Sequence, residues 1–203
     1  MTEQSNVVPI TGRDDPRPVD LIDRKDDELL LLARGGREEA FAVVVRRHQE
    51  KVLRLASRYL GGDTELAEEA AQRTFVELFR YLPRYERRGR FSQFLYQLLL
   101  NQCRMVFRTA AAEQRKRSGI ADHSFEPAAL PDEQLLARER RRSVDRAISR
   151  LSEKLRVVVA LRFAGDMPYD EIAQVLELPM GTVKSRLAAG MEKLRQLMEE
   201  DRP

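Results

Sequence analysis

The chain has 203 residues with 36 basic and 33 acidic side chains, so its formal net charge is +3 and 34% of its residues are charged. This net charge is too small to identify a nucleic-acid binder by itself, and the length suits one or two domains with modest cores. Few aromatic residues, glycines and prolines favour surface-rich helices over sandwiches or barrels. We therefore predict an all-α protein with two small helical domains joined by a flexible linker.

The cysteines, histidines and motifs of the sequence rule out several kinds of catalytic and metal-binding site. Cys103 is the only cysteine, so an intramolecular disulfide and a thiolate metal cluster are ruled out, and its apolar neighbours predict a buried helical position. His48 and His123 lie far apart and lack carboxylates or cysteines at a metal-ligand spacing. The sequence also lacks a phosphate-binding glycine loop and a nucleophile motif. We expect no enzymatic activity, no metal and no cofactor.

The amino-terminal segment and the overall hydropathy bear on location. The sequence has no apolar run near the roughly 20 residues that a membrane-spanning helix needs. Residues 1–24 are polar, with prolines and charges that do not form a secretory signal, and they are predicted to be a disordered extension. We expect a cytoplasmic protein without membrane insertion.

Helical spacing of apolar residues predicts a first domain over residues 25–109. Gly35-Gly36, Gly61-Gly62 and Pro83 separate its helices, and Asp63 is the predicted cap of the helix that follows the second break. The predicted helices span residues 26–34, 37–60, 64–81 and 92–109.

The helix over residues 64–81 has an apolar face and a charged face. Its predicted core residues are Leu66, Ala70, Thr74 or Phe75, Leu78 and Phe79. Its predicted exposed residues are Glu68, Glu69, Gln72, Arg73 and Glu77.

A basic stretch runs from Tyr81 to Arg117, with nine cations and two acids. This imbalance suits a surface that faces phosphates, although a solvated helix face or a disordered linker would carry the same charges. Periodicity then lapses over residues 110–133, where Pro127 and Pro131 lie among charged and small residues. We predict a linker there.

The most informative stretch runs from Tyr169 to Leu194, in a second domain predicted over residues 134–200. It predicts a helix, a turn at Leu178-Pro179 and a second helix from about Met180. The apolar stripe of the second helix is Val183, Leu187, Met191 and Leu194. The residues that this stripe leaves exposed are Thr182, Lys184, Ser185, Arg186 and Ala189. Exposed cations and hydroxyls on a second helix indicate a DNA-binding helix-turn-helix, although an ordinary helical hairpin has the same spacing.

Both predicted domains resemble those of a group IV, extracytoplasmic-function (ECF) sigma factor, a promoter-recognition subunit of bacterial RNA polymerase. The resemblance covers residues 26–108 and 135–197. The motifs similar to region four are Leu151-Ser152-Glu153, Tyr169-Asp170-Glu171-Ile172-Ala173 and Gly181-Thr182-Val183-Lys184-Ser185-Arg186-Leu187. Those similar to region two are Ala67-Glu68-Glu69, Gln72, Thr74-Phe75, Leu78-Phe79, Phe91, Phe94-Leu95 and Asn101.

The resemblance implies the partners and the site residues. It implies core RNA polymerase, contacted at its β′ clamp and β flap, together with promoter DNA and an anti-sigma factor. The polymerase-binding candidates are Glu68, Glu69, Gln72 and Glu77. The minus-ten candidates are Arg87, Arg88, Arg90, Asn101, Arg104 and Arg108, and the loop over residues 83–91 would receive a base flipped from the nontemplate strand. The minus-thirty-five candidates are Thr182, Lys184, Ser185 and Arg186, with free backbone N–H groups near Thr182 expected to help it bind phosphate.

Some residues depart from the usual pattern of the family. Arg73 replaces an acid, Leu100 a basic residue and Met105 an aspartate, which weakens the transfer of contacts to the first domain. Ala188-Ala189 replaces a larger pair on the second helix, so base reading there rests on fewer side chains or on DNA shape.

Two other classes of function fit part of the sequence. A conventional regulator would bind duplex DNA through the helix-turn-helix and sense a ligand or partner through its first domain. Such a sensor needs an apolar pocket or metal ligands, whereas this chain offers an acidic helix followed by a basic loop and helix. An anti-sigma or adaptor protein would not need the basic stretch.

Overall fold

A computed structural model of the protein describes residues 19–86, 89–117 and 143–200. Within these ranges the chain forms helices and no strand, which confirms the all-α prediction. No helix of the described ranges is long and apolar enough to cross a membrane. The helices are α1 (Val19–Ile22), α2 (Asp26–Arg34), α3 (Glu38–Tyr59), α4 (Thr64–Tyr81), α5 (Phe91–Arg117), α6 (described over 143–149), α7 (Glu153–Phe163), α8 (Tyr169–Leu176) and α9 (Met180–Glu200), with a 3-10 turn at Leu82–Arg84.

Helices α1 to α5 form a first bundle. Helix α3 lies against α2 and α4, and α4 lies against α5. Their apolar faces place Leu29, Val44, Leu55, Leu78 and Leu99 in the core, fully removed from solvent. Each such burial stabilises the fold by about 1.5–3 kcal/mol relative to exposure, so this core fixes the helices that carry the candidate sites.

The start of the described chain is more ordered than the sequence predicts. Val19–Ile22 forms α1 and Leu21 is buried in the core, which contradicts disorder up to residue 24. Nη2 of Arg47 on α3 donates to the carbonyl oxygens of Ile22 at 2.9 Å and Arg24 at 3.1 Å. These bonds satisfy carbonyls that the end of α1 leaves free. Their donor is more than 20 residues away in sequence, beyond the reach of local periodicity.

Helix α4 has the predicted bounds, and Asp63 caps it by accepting a hydrogen bond from the N–H of Leu66 at 3.0 Å. Its buried residues are Ala67, Ala70, Ala71, Thr74 and Leu78. The prediction that Phe79 is a core residue is wrong, because its side chain is 52% exposed and packs edge-on against Phe41. With Leu78 facing the core, the next residue points about 100° away from it.

Helix α5 continues to Arg117, past the predicted end at Thr109. The predicted linker over residues 110–133 therefore begins inside this helix, and its part beyond residue 117 lies outside the described residues. Ala110-Ala111-Ala112 explains the extension, because alanine has the highest helix propensity and needs no apolar partner. The predicted burial of Cys103 on this helix is confirmed, and burial raises the pKa of its thiol to about 12.

Helices α6 to α9 form a second bundle, in which residues of α6, α7 and α9 share a smaller core. Gly190 lets α9 approach α7 closely, because a Cβ at this position would lie 2.9 Å from Cγ2 of Val159. Leu187 and Leu194 are buried as predicted. The prediction that Met191 faces the core is wrong, since its side chain is 44% exposed and Gly190 occupies the inward position instead.

The predicted helix-turn-helix consists of α8 and α9. Helix α8 buries Ile172 and Val175. It ends at Glu177, whose left-handed backbone (φ 54°) turns the chain, and the N–H of Leu178 donates to the carbonyl of Ala173 at 2.9 Å. The turn therefore satisfies a helix-end carbonyl and directs the chain into α9.

The two bundles are in contact. Nη1 of Arg58 on α3 pairs with Oδ1 of Asp145 on α6 at 2.6 Å. Gly62 permits this approach, because a Cβ there would lie 2.9 Å from Oδ2 of Asp145. On the other side of the contact, side-chain amides of α5 donate to the last carbonyls of α8, from Gln93 to Gln174 at 2.7 Å.

Arg156 of α7 is buried where the bundles meet. Its Nη2 donates to the carbonyl oxygens of Ser149 at 2.8 Å and Leu151 at 2.9 Å. Its guanidinium carbon lies 5.7 Å from the ring centroid of Tyr59 and 4.9 Å from that of Phe107, which belong to α3 and α5. Burial lowers the pKa of Arg156 from its ordinary value. This side chain therefore ties the second bundle to two helices of the first.

Candidate nucleic-acid interface

An aromatic pocket of about 220 Å³ lies between the 3-10 turn and the start of α5. The ring centroids of Tyr81 and Phe94 are 4.7 Å apart, and the ring of Tyr85 lies 6.5 Å from Phe94. Arg90 adds a cation to the lining. Stackable rings beside a cation are the combination that binds an unpaired nucleobase and its phosphate. The pocket could therefore hold a base removed from the duplex.

Three of the predicted minus-ten residues share one face of α5. Asn101, Arg104 and Arg108 follow at spacings of three and four, so they cover about 10 Å of the helix. Nη1 of Arg104 donates to Oδ1 of Asn101 at 3.0 Å, and its Nε pairs with Oε1 of Glu153 on α7 at 2.7 Å. The second bundle thus engages one of these residues, while Asn101 and Arg108 are exposed.

The remaining minus-ten residues belong to the loop before α5. Arg90 lies at the aromatic pocket, next to the start of the helix. Arg87 and Arg88 lie outside the described residues.

Helix α9 presents the predicted minus-thirty-five residues. Lys184 and Ser185 are exposed as predicted, whereas Thr182 and Arg186, which were also predicted to be exposed, are half-buried. The hydroxyl of Ser185 donates to the carbonyl of Thr182 at 3.1 Å. The N–H of Thr182 is not one of the free groups expected near the start of α9, because it donates to the carbonyl of Pro179 at 2.9 Å. Thr182 itself could therefore bind phosphate only through its hydroxyl.

The predicted polymerase-binding face of α4 is partly neutralised by its own helix. Glu69 pairs with Arg73 at 2.6 Å, and Glu77 pairs with Arg80 at 2.7 Å. Arg73, which departs from the family pattern, therefore has a partner on this helix. Within the described residues, the two members that make no ion pair or side-chain hydrogen bond are Glu68 and Gln72.

An apolar groove of about 850 Å³ runs along the second bundle. Helices α6, α7 and α9 line it, and the large side chains of Phe163, Met191 and Met198 are exposed there. An apolar surface of this kind marks a protein interface, and methionines adapt to irregular partners. Within the described ranges, no cluster of His, Cys, Asp and Glu could hold a metal ion.

Sequence reasoning missed both the pocket and the groove. A signal for the pocket existed, since Tyr81 and Tyr85 flank Pro83 and Phe94 follows in the next helix. For the groove, the signal was Met198 lying seven residues, or two helical turns, beyond Met191.

Two family models match the chain. Sigma-70 region 2 matches residues 44–113, which contain the aromatic pocket and the basic face of α5. Sigma-70 region 4 matches residues 141–194, which contain the helix-turn-helix. The chain belongs to the sigma-70 family.

Its relatives are sigma factors along nearly their whole length. The RNA polymerase sigma-H factor of Pseudomonas aeruginosa is 27% identical, over 88% of this chain and 96% of that protein. The ECF sigma factor SigW of Bacillus subtilis is 28% identical, over 81% and 92%. The ECF sigma-E factor of Escherichia coli is 29% identical, over 83% and 92%. The chain is accordingly an alternative sigma factor of the ECF type, as its sequence predicts.

Solved structures share its fold. CnrH, in complex with the cytosolic domain of CnrY, has a TM-score of 0.62 at 24% identity and covers 87% of this chain and 99% of its own. The sigma factor RpoE of Bartonella quintana, in complex with the anti-sigma factor NepR, has a TM-score of 0.59 at 21% identity, over 80% and 98%. The helical architecture is thus common to this chain and both of these proteins.

Proposed function

We propose that this sigma factor, a member of group IV, binds core RNA polymerase in the cytoplasm and directs it to promoters with minus-ten and minus-thirty-five elements. The observation that carries the proposal is the position of the aromatic pocket. It adjoins the start of α5, so a base held among its rings would leave the rest of the strand beside Asn101, Arg104 and Arg108. Stacking rings beside a basic helix face suit a protein that holds melted DNA better than one that reads only duplex DNA.

The first bundle would trap melted DNA. Flipping a base out of the stack costs a few kcal/mol, and stacking on an aromatic side chain returns about 1–3 kcal/mol per base. Tyr81 and Phe94 would supply the stacking, buried Tyr85 would form the wall behind them, and Arg90 would bind the adjacent phosphate. The pocket therefore offsets most of the cost of opening one base pair.

The second bundle would read duplex DNA. Helix α9 would enter the major groove, with Lys184 and Ser185 at base edges and Arg186 and Thr182 at phosphates. The exposure of Lys184 and Ser185 supports this assignment.

Two surfaces would bind the polymerase. The charged face of α4 would face the β′ clamp, with Glu68 and Gln72 exposed and Glu69 and Glu77 half-buried. The apolar groove between α6, α7 and α9 would receive the β flap. Because the groove and the DNA-reading residues lie on different parts of α9, one bundle could hold both partners at once.

Promoter binding would separate the two bundles. By their positions the two elements are about 25 base pairs apart, or about 85 Å of duplex, roughly twice the diameter of a compact chain of this length. The contacts of α5 with α7 and α8 would break as the bundles part, which frees Arg104 from Glu153.

An anti-sigma factor would control this step. CnrH and RpoE, which share the fold, are each described in complex with such a partner or with a cytosolic domain. A protein that binds both bundles in their packed arrangement would keep this chain from spanning a promoter.

Run-off transcription tests the function. Purified core polymerase is given a genomic fragment library with and without the full chain. We expect new, discrete start sites that share two spaced elements. If core polymerase is unaffected while the protein alone shifts duplex DNA, the chain acts as a conventional regulator and the polymerase contacts are wrong.

Paired variants test the duplex contacts. Lys184→Ala with Arg186→Ala should weaken binding to a minus-thirty-five duplex and lower the salt dependence by about one counterion for each phosphate that is no longer bound. Arg146→Ala with Lys193→Ala removes the same charge from exposed positions of this bundle and is the matched control. Equal effects of the two pairs would contradict the assignment of α9 to the groove.

Charge reversal tests the polymerase contact. Glu68→Lys with Glu69→Lys should weaken assembly with core polymerase, measured by co-purification or fluorescence anisotropy. Glu38→Lys with Glu39→Lys, an exposed adjacent pair on α3, is the control. If the α4 variant assembles with core polymerase as well as wild type does, this face is not part of the interface.

A further inference from the structure

Two side chains of α2 hold Tyr85, one through its hydroxyl and the other through its main-chain carbonyl. Its hydroxyl donates to Oδ1 of Asp27 at 2.7 Å, and its carbonyl oxygen accepts a hydrogen bond from Nη1 of Arg34 at 2.8 Å. Asp27 and Arg34 are seven residues apart, or two helical turns, so they project from the same face of α2. Both the ring and the main chain of one pocket residue are therefore tied to a helix outside the pocket.

Tyr85 needs these ties more than the other two rings of the pocket. Tyr81 and Phe94 belong to α4 and α5, whereas Tyr85 follows the 3-10 turn on a connecting segment with extended backbone. A side chain on a connecting segment keeps its position only when neighbouring groups lock it. Helix α2 supplies that lock, and neither Asp27 nor Arg34 lines the pocket itself.

The buried environment of Tyr85 makes the contacts specific. The residue is 4% exposed and its acceptor Asp27 is half-buried, so removal of the carboxylate leaves the hydroxyl with poor access to water. Burial and the hydrogen bond to Asp27 raise the pKa of Tyr85 above its ordinary value, which keeps the hydroxyl protonated as a donor. The N–H of Tyr85 also donates to the carbonyl of Leu82 at 3.0 Å, which fixes where the segment leaves the turn.

We propose that Asp27 and Arg34 are positioning residues for the pocket that captures a nontemplate-strand base. They hold Tyr85, and with it one wall of the pocket, in place before DNA arrives, so less conformational freedom is lost when the base enters. The inference rests on the proposed minus-ten function of the pocket. It adds α2, whose Asp27 and Arg34 do not line the pocket and act on it through Tyr85.

Binding of holoenzyme to fork-junction DNA tests the proposal. The fork carries a single-stranded nontemplate overhang over the minus-ten element, and each overhang nucleotide is replaced in turn by an abasic site. The captured position is the one whose abasic form binds wild-type holoenzyme more weakly. We expect Asp27→Ala to weaken binding of the intact fork about fivefold to tenfold, the equivalent of roughly one hydrogen bond, and to leave binding of that abasic fork unchanged.

Companion variants separate positioning from folding. Asp27→Asn keeps an acceptor oxygen for the hydroxyl and should restore most of the affinity. Arg34→Ala changes an exposed side chain, so it should fold like wild type and show the same selective loss. Asp23→Ala removes an equal charge from an exposed position just before α2 and should bind like wild type.

Each result has a distinct meaning. If wild-type holoenzyme binds every abasic fork as well as the intact one, no base is captured and the proposed function of the pocket is wrong. If one position is sensitive but Asp27→Ala and Arg34→Ala keep the wild-type ratio between intact and abasic forks, the positioning role is wrong. A loss that is equal on both forks would likewise overturn it, because it would reflect a general structural defect.

Discussion

Arg156→Ala tests the buried contacts of the second bundle at the place where it meets the first. It removes two hydrogen bonds to main-chain carbonyls and two contacts with aromatic rings of the first bundle. Hydrogen bonds to a charged donor contribute about 1.5–3 kcal/mol each, and a cation over a ring about 0.5–2 kcal/mol. The cost of burying the guanidinium, which also lowers its pKa, offsets part of this gain. We expect the free energy of unfolding to fall by about 3 kcal/mol.

Urea unfolding of the full chain, followed by far-ultraviolet circular dichroism, measures this change. The midpoint should fall for Arg156→Ala, and Arg156→Met should fall less because it keeps an apolar stem in the same space. Arg146→Ala, at an exposed position on α6, is the matched control and should change stability by less than about 0.5 kcal/mol. A fall in the free energy of unfolding below about 1 kcal/mol for Arg156→Ala would refute the reasoning. The loss of a buried cation with two carbonyl and two ring partners should destabilise the fold by more than this.

Three further predictions concern packing, pH and the contact between bundles. Gly190→Val adds a branched side chain where even a Cβ would lie 2.9 Å from Val159. We expect the free energy of unfolding to fall by about 2–3 kcal/mol and duplex binding to weaken. An unchanged melting temperature would contradict the close contact between α7 and α9. Burial raises the pKa of Cys103 from 9.0 to about 12, so the unfolded chain ionises first and stability falls as pH rises above 9. This thiol contributes about 1 kcal/mol of the fall between pH 9 and 10, and buried Tyr59, Tyr85 and Tyr96, whose pKa values are also raised, contribute the rest. In urea titrations Cys103→Ala should therefore reduce the fall between pH 9 and 10 by about 1 kcal/mol, and an unchanged fall would contradict the burial of the thiol. Glu153→Gln frees Arg104 and should strengthen binding of a minus-ten single strand about twofold to fivefold, whereas unchanged binding would show that the pair does not compete with DNA.

Local signals in the sequence were enough for most of the helices. Gly35-Gly36, Gly61-Gly62 and Pro83 interrupt the chain where helices end, and Asp63 caps α4 as predicted. These residues act within one helical turn, so their effect can be predicted from neighbours alone. The helix-turn-helix follows for the same reason, because its apolar spacing and its turn are both local.

The wrong predictions concern positions whose structure depends on residues far away in the sequence. Arg47 orders the chain near α1 from more than 20 residues away, and Gly190 rather than Met191 takes the inward place because Val159 lies opposite it. Hydrophobic periodicity depends on apolar side chains, so it does not predict that a glycine faces the core where two helices touch. The predicted linker started too early, since Ala110-Ala111-Ala112 continues a helix without an apolar face.

Some features of the candidate site follow from the local sequence, and others depend on distant residues. Charged side chains on exposed helix faces were predictable, because charge and spacing are properties of the sequence. The aromatic pocket was not, since it depends on α4, the 3-10 turn and α5 meeting at one point. The tie between Asp27 and Tyr85 spans 58 residues, and no pattern in either segment points to the other.

In the proposed function, Arg104 would serve two arrangements of the protein, one with the bundles packed and one with DNA bound. Its guanidinium pairs with a carboxylate of α7 while the bundles are packed, so its charge is already satisfied without DNA. The two side chains are 33% and 52% exposed, and an ion pair this accessible to water contributes at most about 1 kcal/mol. A phosphate in the same place offers a stronger, multiply bonded partner and also releases counterions. A contact this weak can hold the residue in place before the promoter is bound without preventing its transfer to DNA.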